Sequence, residues 1–204
     1  MCTDIAYMGA FLLVPIFLTE ARGLSVTEAA TLLSLRPASG SVFSIILAKL
    51  MGGLVSSLNL TTIGCFASVV AYGFARFVWA STADPTLATI AFVVLQAGSG
   101  FFVFLPANGL ILERVHERDL SNMQAIVGMA TTTAGNLGMA IGVALIRVSG
   151  DPHEPQSFFM TFNTFLGGAV AMLPLVMMLR LATRRAEAKD KGAAYTPLGQ
   201  TDAG

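Results

Sequence analysis

The sequence predicts an all-α integral membrane protein with six transmembrane helices. Three observations carry that prediction. Hydrophobic residues make up 54% of the 204, charged residues only 12%, and the charges gather in short breaks between six long apolar runs. A soluble domain carries about 25% charged residues, and a helix crossing a bilayer needs about 20 apolar residues. The runs occupy 1–19, 29–53, 60–80, 86–112, 121–147 and 157–180. Residues 1–180 therefore form one membrane domain, and the bilayer is its first partner.

The first run has no basic leader and no A-x-A cleavage site, so it reads as a span rather than a signal peptide. It holds Asp4, the only acid inside a run, and Pro15. The second run contains "SLRPASG", in which Arg36 and Pro37 lie side by side; Lys49 is its only other charge. A charge and a helix breaker are both expensive in an apolar helix. Pro37 is expected in the first turns, where a missing N–H costs least. Arg36 has two readings: a snorkelling arginine at the helix start, or a charge on the wall of a polar cavity. In either case it is expected to face the bundle.

The fourth run, in "LQAGSGFFVFLPANG", supplies Gln96, Pro106 and Asn108. The fifth supplies Gln124, a Thr131–Thr133 triplet and Asn136, amides and hydroxyls that are costly in lipid unless they face protein or water. The same helix repeats Ala130, Ala134, Gly138 and Gly142 every four residues, a smooth ridge on which another helix can approach closely. Pro15, Pro37, Pro106 and Pro174 are the candidate helix-bending positions. Arg36, Gln96, Asn108, Gln124 and Asn136 are the candidates for a substrate cavity or gate.

Orientation follows from the basic residues. With the N-terminus inside, inner segments hold eight (Lys49, Arg114, Arg118, Arg180, Arg184, Arg185, Lys189 and Lys191) and outer segments three (Arg22, Arg76 and Arg147). Both termini are expected to be cytoplasmic, with the protein in the plasma membrane. Residues 181–204, charged and then small and polar, are expected to form a disordered cytoplasmic tail. The charges of "ERVHERDLS" read as a solvated loop, in which Asp119 or Ser121 caps the next span.

Several function classes are disfavoured. Net charge is zero, so no basic surface argues for nucleic acid. Cys2 and Cys65 fit no disulfide framework or metal motif and read as small buried hydrophobes. His116 and His153 lie in loops without ligand partners at a metal spacing. No Ser/His/Asp arrangement, phosphate loop or CxxC is present. The sequence is not read as an enzyme, and no cofactor or metal is expected.

Three stretches carry a resemblance. They are "LLVPIFLTEARGLSVTEAATLLSLRPASG", "GSGFFVFLPANGLILERVHERD" and "SNMQAIVGMATTTAGNLGMAIGVAL". In this order they resemble the last six helices of a major facilitator superfamily permease, closest to the fourteen-helix drug/proton antiporter branch. The likeness covers roughly residues 9 to 148. The departures are a chain of six spans and a loop, "AKLMGGLVSSLN", without the acidic and paired basic residues of the family's loop between the second and third helices of a half.

The resemblance implies a C-terminal six-helix half of a permease that exports drugs or other small molecules in exchange for protons. It implies a partner in the missing N-terminal half or a second copy. Membrane-embedded carboxylates carry protons in such antiporters, which makes Asp4 the proton-coupling candidate; as a residue at the chain start it equally suits the interface. The alternative is a degenerate or truncated membrane protein that transports nothing and acts only as an assembly partner.

Overall fold

The computed structural model describes residues 2–51, 55–79, 84–151 and 153–194; within them, the side chains of residues 2–6, 12, 85, 112–114 and 186–194 are not described. The described chain is helical, with no strand. Its helices are α1 (Cys2–Ile16), α2 (Val26–Leu33), α3 (Leu35–Met51), α4 (Ser57–Phe74), α5 (Pro85–Arg114), α6 (Leu120–Ser149) and α7 (Phe159–Ala194). Five segments are long and apolar enough to cross a membrane, with α2 and α3 counted as one; α1 with its continuation is a shorter sixth.

The helix starts follow local chemistry. Ser25 and Glu28 form a reciprocal capping box that opens α2. Ser56 caps α4 through the Asn59 N–H, and Asp84 caps α5 through the Thr86 N–H at 2.9 Å, with Pro85 in the first turn. Asp119 occupies the corresponding position before α6 but makes no side-chain cap bond. It faces Arg118 at 3.6 Å in the exposed loop instead. Gly23, at φ 68°, lets the Leu24 N–H return to the Leu18 carbonyl at 3.0 Å and closes the first helical segment.

Prolines shape the helices unequally. Beyond Pro15, α1 widens into a π-helical turn at Phe17–Ala21. Pro37 is the third residue of α3, in the first turn where a missing N–H costs least, as the sequence suggested. The apolar run itself starts helical earlier, at the capping box before Val26, and the chain breaks at Ser34 between α2 and α3. The helices α5 and α7 run continuously through Pro106 and Pro174. A second π-turn, Ala75–Trp79, ends α4.

Packing registers show that the helices alternate in direction. Phe17 meets Phe158 and Phe162 while Gly9 meets Phe165, so α1 and α7 are antiparallel. Met8 approaches Gly135 and Leu13 approaches Gly142, so α1 and α6 are parallel. One end of the bundle, here the terminal end, thus holds both the start of α1 and the end of α7. The opposite end holds the turn at 22–25, the start of α5 at Asp84 and the turn residues around 150, 151, 153 and 154. The helix α7 continues past 181 to Ala194, into the segment expected to be a tail; residues 195–204 lie outside the described residues.

The core is concentrated at the opposite end. Trp79, the only tryptophan, stacks on Phe92 at 4.6 Å and 15°, and packs on Phe17 and Phe162 at 4.5 and 5.6 Å. Its indole N–H donates to Thr89 at 2.8 Å, so the ring is buried without an orphaned donor. The Arg22 guanidinium donates to the Trp79 carbonyl at 2.6 Å. On α7, Phe159 lies under Arg76, whose Nε donates to Asn163 at 2.9 Å.

Candidate functional site: a terminal groove and a buried guanidinium

The polar residues singled out in the sequence do not form one cavity. They divide into a groove, an interior cluster and an exposed face.

The groove lies between α4, α5, α6 and α7 and holds about 860 Å³. Asn108 and Ile111 enter it from the last turns of α5, Gln124 and Thr131 from α6, Thr61 from α4 and Leu179 from α7. These positions place it toward the terminal end. Its volume suits a small organic molecule, and its walls are mainly apolar with a few neutral hydrogen-bonding groups. Ala130, the first residue of the small-residue ridge, also lines it.

The rest of that ridge serves packing within the chain. Ala134, Gly138 and Gly142 are buried. A Cβ on Gly142 would collide with Leu13, and one on Gly9 would stand 2.9 Å from the Gly138 carbonyl oxygen. The ridge is thus occupied by α1. Asn136 faces away from it and is exposed, outside both polar sites.

Arg36 and Gln96 form the interior cluster. Arg36 is 8% exposed, with its guanidinium carbon 4.2 Å from the Tyr7 ring centre and 4.5 Å from that of Phe11. Tyr7 and Phe11 are one helical turn apart on α1, so a single guanidinium lies over both. Gln96 is 2% exposed and lies within hydrogen-bonding reach of the Tyr72 hydroxyl. A void of about 10 Å³, lined by Tyr7, Ser68, Tyr72 and Gly100, adjoins them. That is room for about one water.

Two donors in this cluster have no hydrogen-bond partner: Arg36 Nη2 and Gln96 Nε2. Cation–π contact stabilises a desolvated guanidinium by roughly 2 kcal/mol or more. An unpaired buried charge costs several kcal/mol. Ring contact alone therefore leaves the Nη2 N–H groups unmet. Among the described residues every carboxylate side chain (Glu20, Glu28, Asp84, Glu117, Asp119, Asp151 and Glu154) lies at a helix end or turn. The side chain of Asp4 is outside the described residues.

The sequence pointed to Arg36 and to its facing the bundle, but not to Tyr7, Phe11 or Tyr72. Their signal is the i, i+4 aromatic pair on α1, which has meaning only once α3 is known to lie beside it. Thr61 was likewise invisible, because a threonine within an apolar helix ordinarily bonds its own backbone, as Thr61 does to the Ser57 carbonyl at 2.9 Å. Among the described residues no three His, Cys, Asp or Glu side chains come together as a metal-binding group.

Fold and site together define a class: a bundle helical throughout its described residues, compatible by length and composition with a multi-pass membrane protein, carrying a mainly apolar groove with a few polar groups and a buried arginine with one unpartnered nitrogen. Beyond that class, no family model matches the chain, no curated protein matches it and no solved structure matches it.

Proposed function

We propose that the chain is one six-helix wall of a membrane permease, of the drug/proton antiporter kind that its sequence resembles. The observation that carries this reading is the groove of about 860 Å³ bearing Asn108 and Gln124 at one end of a bundle whose other end is closed by aromatic rings. A cavity open at one end and sealed at the other is the form that alternating access needs in each of its states.

Exposed apolar residues support the membrane setting. Phe11, Ile45, Phe66, Phe77, Leu87 and Met178 are each at least half exposed, and they come from six different helical segments. A water-soluble monomer rarely shows so much apolar surface. On the same surface Asn136, Thr132 and Thr133 of α6 are exposed. In hydrocarbon each would lack a partner, at a cost of several kcal/mol for a fully unsatisfied group. A second half, from another chain or a longer version of this one, would cover them. Binding then takes place between the halves, and the basic asymmetry of the sequence supports a cytoplasmic terminal end. Asp4 remains the proton-coupling candidate.

The test is accumulation of ethidium and of carboxyfluorescein in cells making residues 1–204 alone, or the whole locus with any upstream coding sequence retained. The reading expects accumulation unchanged by the short chain and lowered by a two-half assembly. Efflux by the short chain as a strict monomer contradicts the half-transporter reading. So does a membrane-resident two-half protein that moves neither dye.

A further inference from the structure

We propose that the end of α7 is a docking surface for the headgroups of anionic phospholipids. The proposal rests on the membrane setting of the permease reading and needs no transport.

Helix length sets the depth. From 159 to 179 the helix has no charged residue, and at 1.5 Å per residue that stretch is about 31 Å long. A hydrocarbon core is about 30 Å thick. Met178, Leu179 and Leu181 are each at least half exposed, as lipid-facing residues are. Arg180 is the first charge on the helix and falls where the core ends. Arg184 and Arg185 follow one turn later, about 6–8 Å further along, within the headgroup layer.

Charge then selects the lipid. Between 180 and 191 the chain has five basic residues (Arg180, Arg184, Arg185, Lys189 and Lys191) against two acidic ones (Glu187 and Asp190), an excess of three positive charges. Ion pairs within the segment leave that excess unchanged. Basic clusters just beyond a membrane-spanning helix attract anionic lipid, and a guanidinium matches a phosphate with paired hydrogen bonds. The helix matters as much as the charge. A disordered tail would lose conformational entropy on binding. Here α7 runs unbroken to Ala194, so Arg184 and Arg185, both exposed, are held at the headgroup layer before any lipid arrives. At the opposite end two of the basic residues are already engaged, Arg22 with the Trp79 carbonyl and Arg76 with Asn163.

The experiment reads the lipid next to α7 directly. The full chain, in a Cys2→Ser, Cys65→Ala background, carries one fluorophore-labelled cysteine, Ala182→Cys, Met178→Cys or Leu87→Cys, and is placed in phosphatidylcholine nanodiscs. Phosphatidylglycerol or phosphatidylcholine with brominated acyl chains is added as the quencher in graded amounts. The proposal expects half-quenching at 182 at a several-fold lower mole fraction of brominated phosphatidylglycerol than of brominated phosphatidylcholine. It expects no such preference at 87, near the start of α5, and loss of the preference at 182 in 1 M salt, where the Debye length falls to about 3 Å. Arg184→Gln and Arg185→Gln should each reduce the preference by up to roughly fivefold, the ratio for one basic residue near an anionic surface. Lysine at the same positions should retain most of it. Free glycerol phosphate should not displace the lipid. Equal half-quenching by the two lipids at 182, a preference as large at 87, an Arg184→Gln, Arg185→Gln double variant like the parent, or displacement by glycerol phosphate overturns the proposal and leaves the permease reading standing. Quenching by neither lipid at 178 overturns the membrane setting, and the proposal with it.

Discussion

The two ends of the bundle are built on opposite principles. At the opposite end Phe17, Trp79, Phe92, Phe158 and Phe162 fill the space between α1, α4, α5 and α7 with ring contacts. At the terminal end α4, α5 and α7, joined by α6, leave about 860 Å³ between mainly apolar walls that carry a few neutral polar side chains. The difference separates the part that holds the bundle together from the part that is left open. Dense ring packing holds the helices together through dispersion and directed aromatic contact, which is what remains to drive association where lipid is as apolar as the side chains. An unfilled groove contributes little to that and is free to serve a ligand.

The largest expected effect breaks the closed end. Trp79→Ala removes contacts with three rings and the hydrogen bond to Thr89. It should cost about 3–5 kcal/mol, the range for truncating a buried aromatic. Thermal unfolding of the detergent-purified chain, followed with a thiol-reactive dye, reads it. A midpoint unchanged from the parent means the rings do not hold that end.

A glycine pair sharpens the contrast because helix propensity is the same for both. A Cβ on Gly64 would stand 2.5 Å from the Phe102 carbonyl carbon and 2.6 Å from its oxygen, whereas Gly128, on the groove wall, has open space within 4 Å. Gly64→Ala must push the α4 and α5 backbones apart and should cost about 1–3 kcal/mol. Gly128→Ala should gain up to about 1 kcal/mol from propensity alone. Opposite signs in the same unfolding assay support the account, and equal signs count against it.

Smaller still is Asn108→Leu. Its side chain is exposed in the groove, so stability should change by less than about 0.5 kcal/mol, as for ordinary surface substitutions. Efflux by the two-half protein should fall. The smallest effect belongs to His153→Ala. It removes an exposed contact of 3.4 Å with Glu20 in the turns of the opposite end, worth about 0–1 kcal/mol in the unfolding assay.

Much of this architecture was legible in the sequence because its signals are local. Apolar run length marked the helical segments, and Gly-rich spacing marked a helix-packing ridge. What stayed hidden depends on which helix lies beside which. The ridge Ala134, Gly138 and Gly142 could not announce α1 as its partner, and nothing in the spacing separated Gln96 from Asn108 into different sites. The local reading placed Pro37 in the first turn of a helix, where α3 has it, but not the short helix before it, which the capping box of "SVTE" opens and Ser34 ends. Charged residues end an apolar run without ending a helix: α7 continues past 181 through "RRAEAKDK", which is rich in helix formers.

The central claim, an accessible groove at the terminal end and a sealed aromatic opposite end, is tested most directly by thiol accessibility in membranes. In a Cys2→Ser, Cys65→Ala background, single cysteines are placed at Asn108, Gln124 and Phe92 and exposed to a membrane-impermeant maleimide in inside-out vesicles. The account predicts rapid labelling at 108 and 124, slowed when a transported dye fills the groove, and no labelling at 92 until the protein is denatured. Labelling at 92 as fast as at 108 and 124, or protection of both groove positions in native membranes, would contradict it.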